Sequence, residues 1–99
     1  MKLDRNGYGP SLFGCTDEEC YLCGYQGDLV RHEIIRGVGN RQNSKKWGCW
    51  INLCTRCHQA IHSGNFQEVD DSLKQAAYNR FCDTYNRDKF YKIFGRHYD

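Results

Sequence analysis

The sequence has no apolar run long enough to cross a membrane, a feature that would require about 20 consecutive residues. Its opening stretch, MKLDRNGYGPSLFG, lacks the apolar core of a secretory leader. The expectation is therefore an intracellular, cytoplasmic chain without a membrane partner. Charge of one sign is also scarce: the net charge is +2, and the isoelectric point is about 8.2. That balance permits a nucleic-acid partner without arguing for one. Internal repeats and low-complexity tracts are absent, so solenoids and tails are excluded. What the chain has in quantity is cysteine, seven in 99 residues, and aromatic side chains at 14%. The aromatic content is too high for a disordered chain. A domain this short buries a limited core and commonly needs a staple.

Cysteine spacing points to that staple. Cys20 and Cys23 form one Cys-x-x-Cys pair, and Cys54 and Cys57 form another. Inside a cell, where disulfides are disfavoured, such pairs point to metal. Four thiolates complete a closed tetrahedral zinc site. The 30 residues separating the pairs, 24–53, leave room for an inserted β-hairpin. Metal binding would then act as folding energy. The competing reading is a disulfide mini-protein, which the odd cysteine count and the histidines beside the second pair disfavour. Cys15, Cys49 and Cys82 lack a pairing pattern and read as core or loop residues, although Cys15 could replace Cys20.

The rest of the chain divides into short elements. Residues 1–14, with Gly7, Gly9, Pro10 and Gly14, read as a loose lead-in. Leu29–Ile35 is rich in β-branched residues and reads as a strand. Residues 36–48, RGVGNRQNSKKWG, read as a long polar loop, a type often functional in compact domains. Cys49–Leu53 reads as a second strand. A helix should begin at Cys54 and stop at Gly64. Asp70, Asp71 and Ser72 are N-cap candidates for a further helix, in which Leu73, Ala77, Phe81 and Tyr85 recur every four residues. A last helix is expected over 87–94, stopped by Gly95. The fold class is α+β: a single domain over 1–99, with its core at 20–64 and a helical tail at 70–95.

Three histidines lie near the cysteine pairs in sequence. His58 and His62 are four apart on the expected helix, which puts both imidazoles on one face. His32 lies on the first strand, which the first cysteine pair anchors. Three neutral imidazoles with open positions have the form of a catalytic metal site. Two plainer readings stand beside this one. The helical pair is often only a surface feature, and either His58 or His62 could complete the zinc site in place of a cysteine. His97 reads as a surface residue. Trp50 reads as core, while Trp47 could stack on bases or fill the core.

The whole constellation resembles the HNH nuclease family. Its matching string is Cys20-x-x-Cys23, His32-Glu-Ile34, then Asn52-Leu-Cys54-x-x-Cys57-His58-x-x-x-His62. Arg31-His32, Asn40-Arg41, Ser44 and Phe94-Gly95-Arg96 are similar to small phage- or prophage-encoded HNH proteins. The resemblance implies a ββα-metal finger, a β-hairpin plus helix braced by the four-cysteine zinc, with a C-terminal helical extension. It implies an endonuclease that hydrolyses double-stranded DNA, leaving 5′-phosphate and 3′-hydroxyl ends. By position, His32, His58 and His62 match the ligands of one catalytic divalent metal (Mg²⁺, Mn²⁺, Ni²⁺ or Zn²⁺). Asn52 matches the residue that braces the loop and orients the base. Glu33 stands where the family usually has a histidine base; a carboxylate can take a proton from water or bind metal itself. Imidazole ligands suit zinc, nickel and manganese better than magnesium. Arg41, Arg36, Lys45 and Lys46 are candidates for holding the phosphate backbone, with Arg41 preferred because a guanidinium matches phosphate in two hydrogen bonds. The basic residues of the tail, diluted by nearby aspartates, read as a solvated face. The alternative function is a non-catalytic zinc module that binds DNA or a protein partner.

Overall fold

The computed structural model describes residues 2–37 and 39–98; Met1 of the expected lead-in, Val38 of the expected loop and Asp99 lie outside them. In order, the elements are β1 (Leu29–Glu33), α1 (Asn40–Trp47), β2 (Trp50–Cys54), α2 (Thr55–His62), α3 (Gln67–Thr84) and α4 (Arg87–Phe94). This is a small α+β fold with a two-stranded antiparallel sheet. The register sets Leu29 against Cys54, His32 against Ile51 and Glu33 against Trp50. Two strands alone are marginal in water, and here they are held by what packs on them. Ile34, Ile35, Ile51 and Leu53 from the hairpin join Leu73, Ala77, Phe81, Phe90 and Phe94 from the last two helices in one buried cluster. No helix among the described residues is long and apolar enough to cross a membrane.

The polar stretch 36–48 is not a loop throughout: it contains helix α1. Its sequence NRQNSKKW has no apolar stripe, because its buried face is polar. Ser44 is fully buried; its hydroxyl donates to the Ile35 carbonyl at 2.7 Å and accepts from the Ile35 N–H at 3.1 Å. The Asn40 and Asn43 amides donate to the carbonyls of Phe94 and Ile93, satisfying groups that the end of α4 leaves open. Gly48 closes α1 in the left-handed region, at φ 81°. A Cβ there would strike the Pro10 carbonyl oxygen, so this position admits only glycine.

The lead-in is likewise ordered. Gly9 N–H donates to the Lys45 carbonyl and Leu12 N–H to that of Gly48. The Ser11 hydroxyl donates to the Trp50 carbonyl, and Phe13 reaches the core. Trp50 is 6% exposed, and its indole N–H donates to the Gly9 carbonyl. Trp47 is half-buried, edge-on to Phe81 and Tyr85.

Helix boundaries shift by small amounts. β2 runs one residue later than expected, and Cys54 caps α2 by accepting the Cys57 N–H on its sulfur. β1 stops at Glu33, but Ile34 N–H still donates to the Cys49 carbonyl. α3 begins at Gln67 rather than after the 70–72 cap candidates, and no side chain caps it. Asp70 therefore lies inside the helix, its carboxylate engaged by Arg36 and Lys74 instead of backbone. Leu73, Ala77 and Phe81 are buried as their spacing predicts, whereas Tyr85, past the helix end, is 37% exposed. α4 matches its expected span, with Asn86 Oδ1 accepting the Lys89 N–H and Gly95 in the left-handed region.

Candidate metal centre

The thiols of Cys20, Cys23, Cys54 and Cys57 converge, all four sulfurs lying within 4.8 Å of one another. The first pair is shaped by a tight turn in which Gly24 N–H donates to the Cys20 carbonyl and Cys20 N–H to that of Tyr25. A bond from Tyr21 N–H to the Asn52 carbonyl pins this turn to β2. The second pair lies where β2 passes into α2, which delivers Cys57 one turn on. Cys23 and Cys54 sulfurs are 3.7 Å apart. Two ligands of a tetrahedral zinc with bonds of about 2.3 Å would be separated by roughly 3.8 Å. Electrostatics agree with a cation here. Burial pushes the Cys57 thiol far up, with the neighbouring cysteines adding to it. Burial also acts to raise Cys20, but backbone N–H donors outweigh it and bring that thiol down to about 6. Several thiolates cannot share such a space without positive charge, so the donor set fits a metal ion such as zinc. Cys20, not Cys15, is the fourth member. Cys49 stands apart, fully buried and pushed up to about 12 by that burial.

His32, His58 and His62 form a second convergent group, also within 4.8 Å. His32 points inward from β1 and is 1% exposed. His58 is half-buried and His62 exposed, so the group opens to solvent along α2. The Nε2 atoms of His58 and His62 are 3.0 Å apart. Two nitrogens on one tetrahedral ion with bonds of about 2.0–2.1 Å would be roughly 3.3 Å apart. Burial, the Arg36 guanidinium and the other two imidazoles hold His32 down to about 3. Burial and His62 lower His58. Neutral imidazoles at His32 and His58 keep lone pairs that a metal requires, and with His62 they form a group that could hold an ion. No protein-family model, curated protein or solved structure matches this chain. The chemistry of the site is therefore read from its own donors.

Glu33 does not join the three imidazoles. Arg31 and Glu33 alternate with His32 along β1, yet the Glu33 charge reaches His58 and acts to raise it against the burial and His62 that lower it. The Tyr8 hydroxyl donates to Glu33 Oε2 at 2.9 Å. Burial, then the Glu33 carboxylate, push the Tyr8 phenol up to about 12, so it stays a donor. Arg31 lies over both the Tyr8 and Trp50 rings, with its charge on Asp4 at 2.8 Å. The Asn52 amide donates to the Thr16 carbonyl and Asp17 Oδ1, tying β2 to the segment before the first cysteine pair.

The four basic candidates separate. Arg36 Nη1 lies 3.2 Å from His32 Nε2, and its Nη2 donates to Asp70 at 2.8 Å. Arg41 is exposed, and its charge acts on His58. Lys45 instead lies over the Tyr8 ring and Lys46 over Trp47. Sequence reasoning missed two residues. Asp70 is 4% exposed and holds Arg36 from α3; it was hidden among surface-like acidic residues. Tyr8 was hidden in a glycine-rich stretch. No local pattern marks either, because both act across the fold.

Proposed function

We propose that this protein is a metal-dependent endonuclease of the HNH type, built on a ββα-metal finger and cutting DNA to 5′-phosphate and 3′-hydroxyl ends. The observation that carries the reading is the convergence of His32, His58 and His62 on the same hairpin and helix that hold the four cysteines. In this reading Cys20, Cys23, Cys54 and Cys57 hold a structural zinc, and His32, His58 and His62 hold one divalent ion. When bound, that ion supplies Lewis-acid stabilisation of charge on the phosphate and the leaving 3′ oxygen. Glu33 takes the proton of the attacking water. Arg41 binds a phosphate oxygen from the exposed start of α1. Arg36 is held by Asp70 beside His32, where a guanidinium can meet the same phosphate.

The test is plasmid cleavage by zinc-loaded protein with Mg²⁺, Mn²⁺, Ni²⁺ or Zn²⁺. Wild type should nick the plasmid, and His58→Ala should lose cutting while keeping one zinc. Folded protein that leaves plasmid intact with every ion would overturn the proposal. A second reading, a non-catalytic zinc module that binds DNA or a protein, is favoured by one contact: the Arg36 guanidinium lies 3.2 Å from His32 Nε2, setting a cation against one of the three imidazoles. One tight zinc per chain with no cleavage would support it.

A further inference from the structure

Glu33 is the last residue of β1 and is only half-buried. A carboxylate at such a place ordinarily samples several rotamers, and a base must sit within hydrogen-bond reach of the proton it takes. One of its oxygens, Oε2, is engaged by the Tyr8 hydroxyl at 2.9 Å. The Tyr8 ring is itself immobilised from several sides. It meets Trp50 edge-on at 5.3 Å, and the Arg31 guanidinium and the Lys45 ammonium lie over it at 4.4 and 4.8 Å. The backbone beneath it is fixed as well. Tyr8 N–H donates to Asp4 Oδ1, and the next residue, Gly9, bonds Lys45. A phenol held this tightly fixes one carboxylate oxygen and leaves the other for water.

We infer that Tyr8 is a positioning residue for Glu33, locking the carboxylate in one orientation so that its second oxygen faces the attacking water. This rests on the endonuclease reading above. It assigns the segment before the first cysteine pair a part in the reaction, and it separates orientation of the base from Asn52, whose amide is spent on Thr16 and Asp17.

Tyr8→Phe removes only the hydroxyl and leaves the ring under Arg31 and Lys45. Expected is a fall in kcat of about tenfold, the usual scale for losing a hydrogen bond to a charged group, with KM within about twofold and zinc content unchanged. Combined with Glu33→Ala, the same change should cost nothing further, because the residue it acts through is gone. An activity-free readout accompanies these: the Glu33 carboxyl carbon resonance should move in Tyr8→Phe and stay put in Arg41→Ala. An equal loss in both backgrounds, a wild-type kcat for Tyr8→Phe, or an unmoved resonance would each overturn the inference while leaving the nuclease reading intact. Absence of cleavage by wild type would instead remove both.

Discussion

Ser44→Ala is the sharpest test of how this fold is held together beside the site. The Ser44 side chain is 0% exposed and makes two hydrogen bonds, both to the backbone of Ile35. Ile35 is itself fully buried and directly precedes Arg36. Alanine removes one oxygen and leaves an N–H and a carbonyl without their partner. Each buried group left unmet costs about 1–3 kcal/mol. The single-atom void admits no water, so little is recovered. The expected loss is roughly 2–4 kcal/mol, a large fraction of the 5–15 kcal/mol that holds most small domains. The assay is urea unfolding of both proteins at the same fixed excess of zinc, since metal binding shifts apparent stability. The midpoint should fall with the slope unchanged. A loss below about 0.5 kcal/mol, within the range of ordinary surface changes, would refute the claim that polar groups bury this helix.

Three further outcomes follow from the same structure. Cys57→Ala should abolish tight zinc binding and leave the hairpin unfolded, as chelator treatment of wild type should; far-ultraviolet circular dichroism with metal analysis checks both, because zinc-site binding of about 10–16 kcal/mol in small domains exceeds what a two-stranded sheet supplies alone. Asp4 is held down to about 2, first by the Tyr8 N–H and then by Arg31. A depressed folded-state carboxyl contributes stability above its ordinary value of 3.8 and loses it as pH falls toward 2. The gap in stability between wild type and Asp4→Asn should therefore be full at pH 5, shrink steeply as pH falls to 2 and close below it, read by acid titration of the two proteins side by side. In the zinc-loaded protein, iodoacetamide at pH 8 should modify the half-buried Cys15 and Cys82 well before Cys49, whose thiol burial pushes up to about 12; mass spectrometry of the alkylated peptides gives the order, and early labelling of Cys49 would contradict its burial.

Much of the candidate site was legible in the chain because its donors are local. Cys-x-x-Cys brings two thiols together through one turn, and His58 and His62 share a face because four residues make about one helical turn. The same locality made α4 readable, with Asn86 and Gly95 at its ends. Helix α1 was not legible. Its inward residues are Asn40 and Ser44, so a search for apolar periodicity passes over it; only the carbonyls of Ile35 and Phe94, supplied by distant elements, make polar burial there favourable. The same holds for Asp70, which reads as a helix cap until Arg36 is brought to it.

The sequence by itself determined the candidate donor types, their pairing and the α+β order of every element except α1, since each depends on residues a few positions apart. Tertiary structure alone decided that Cys20 rather than Cys15 completes the four thiols. It alone set His32 against the α2 pair, left Glu33 outside that donor group and brought Tyr8 across 25 residues to hold it. Those outcomes depend on strand register and on which buried polar groups find partners, and neither is written in local spacing.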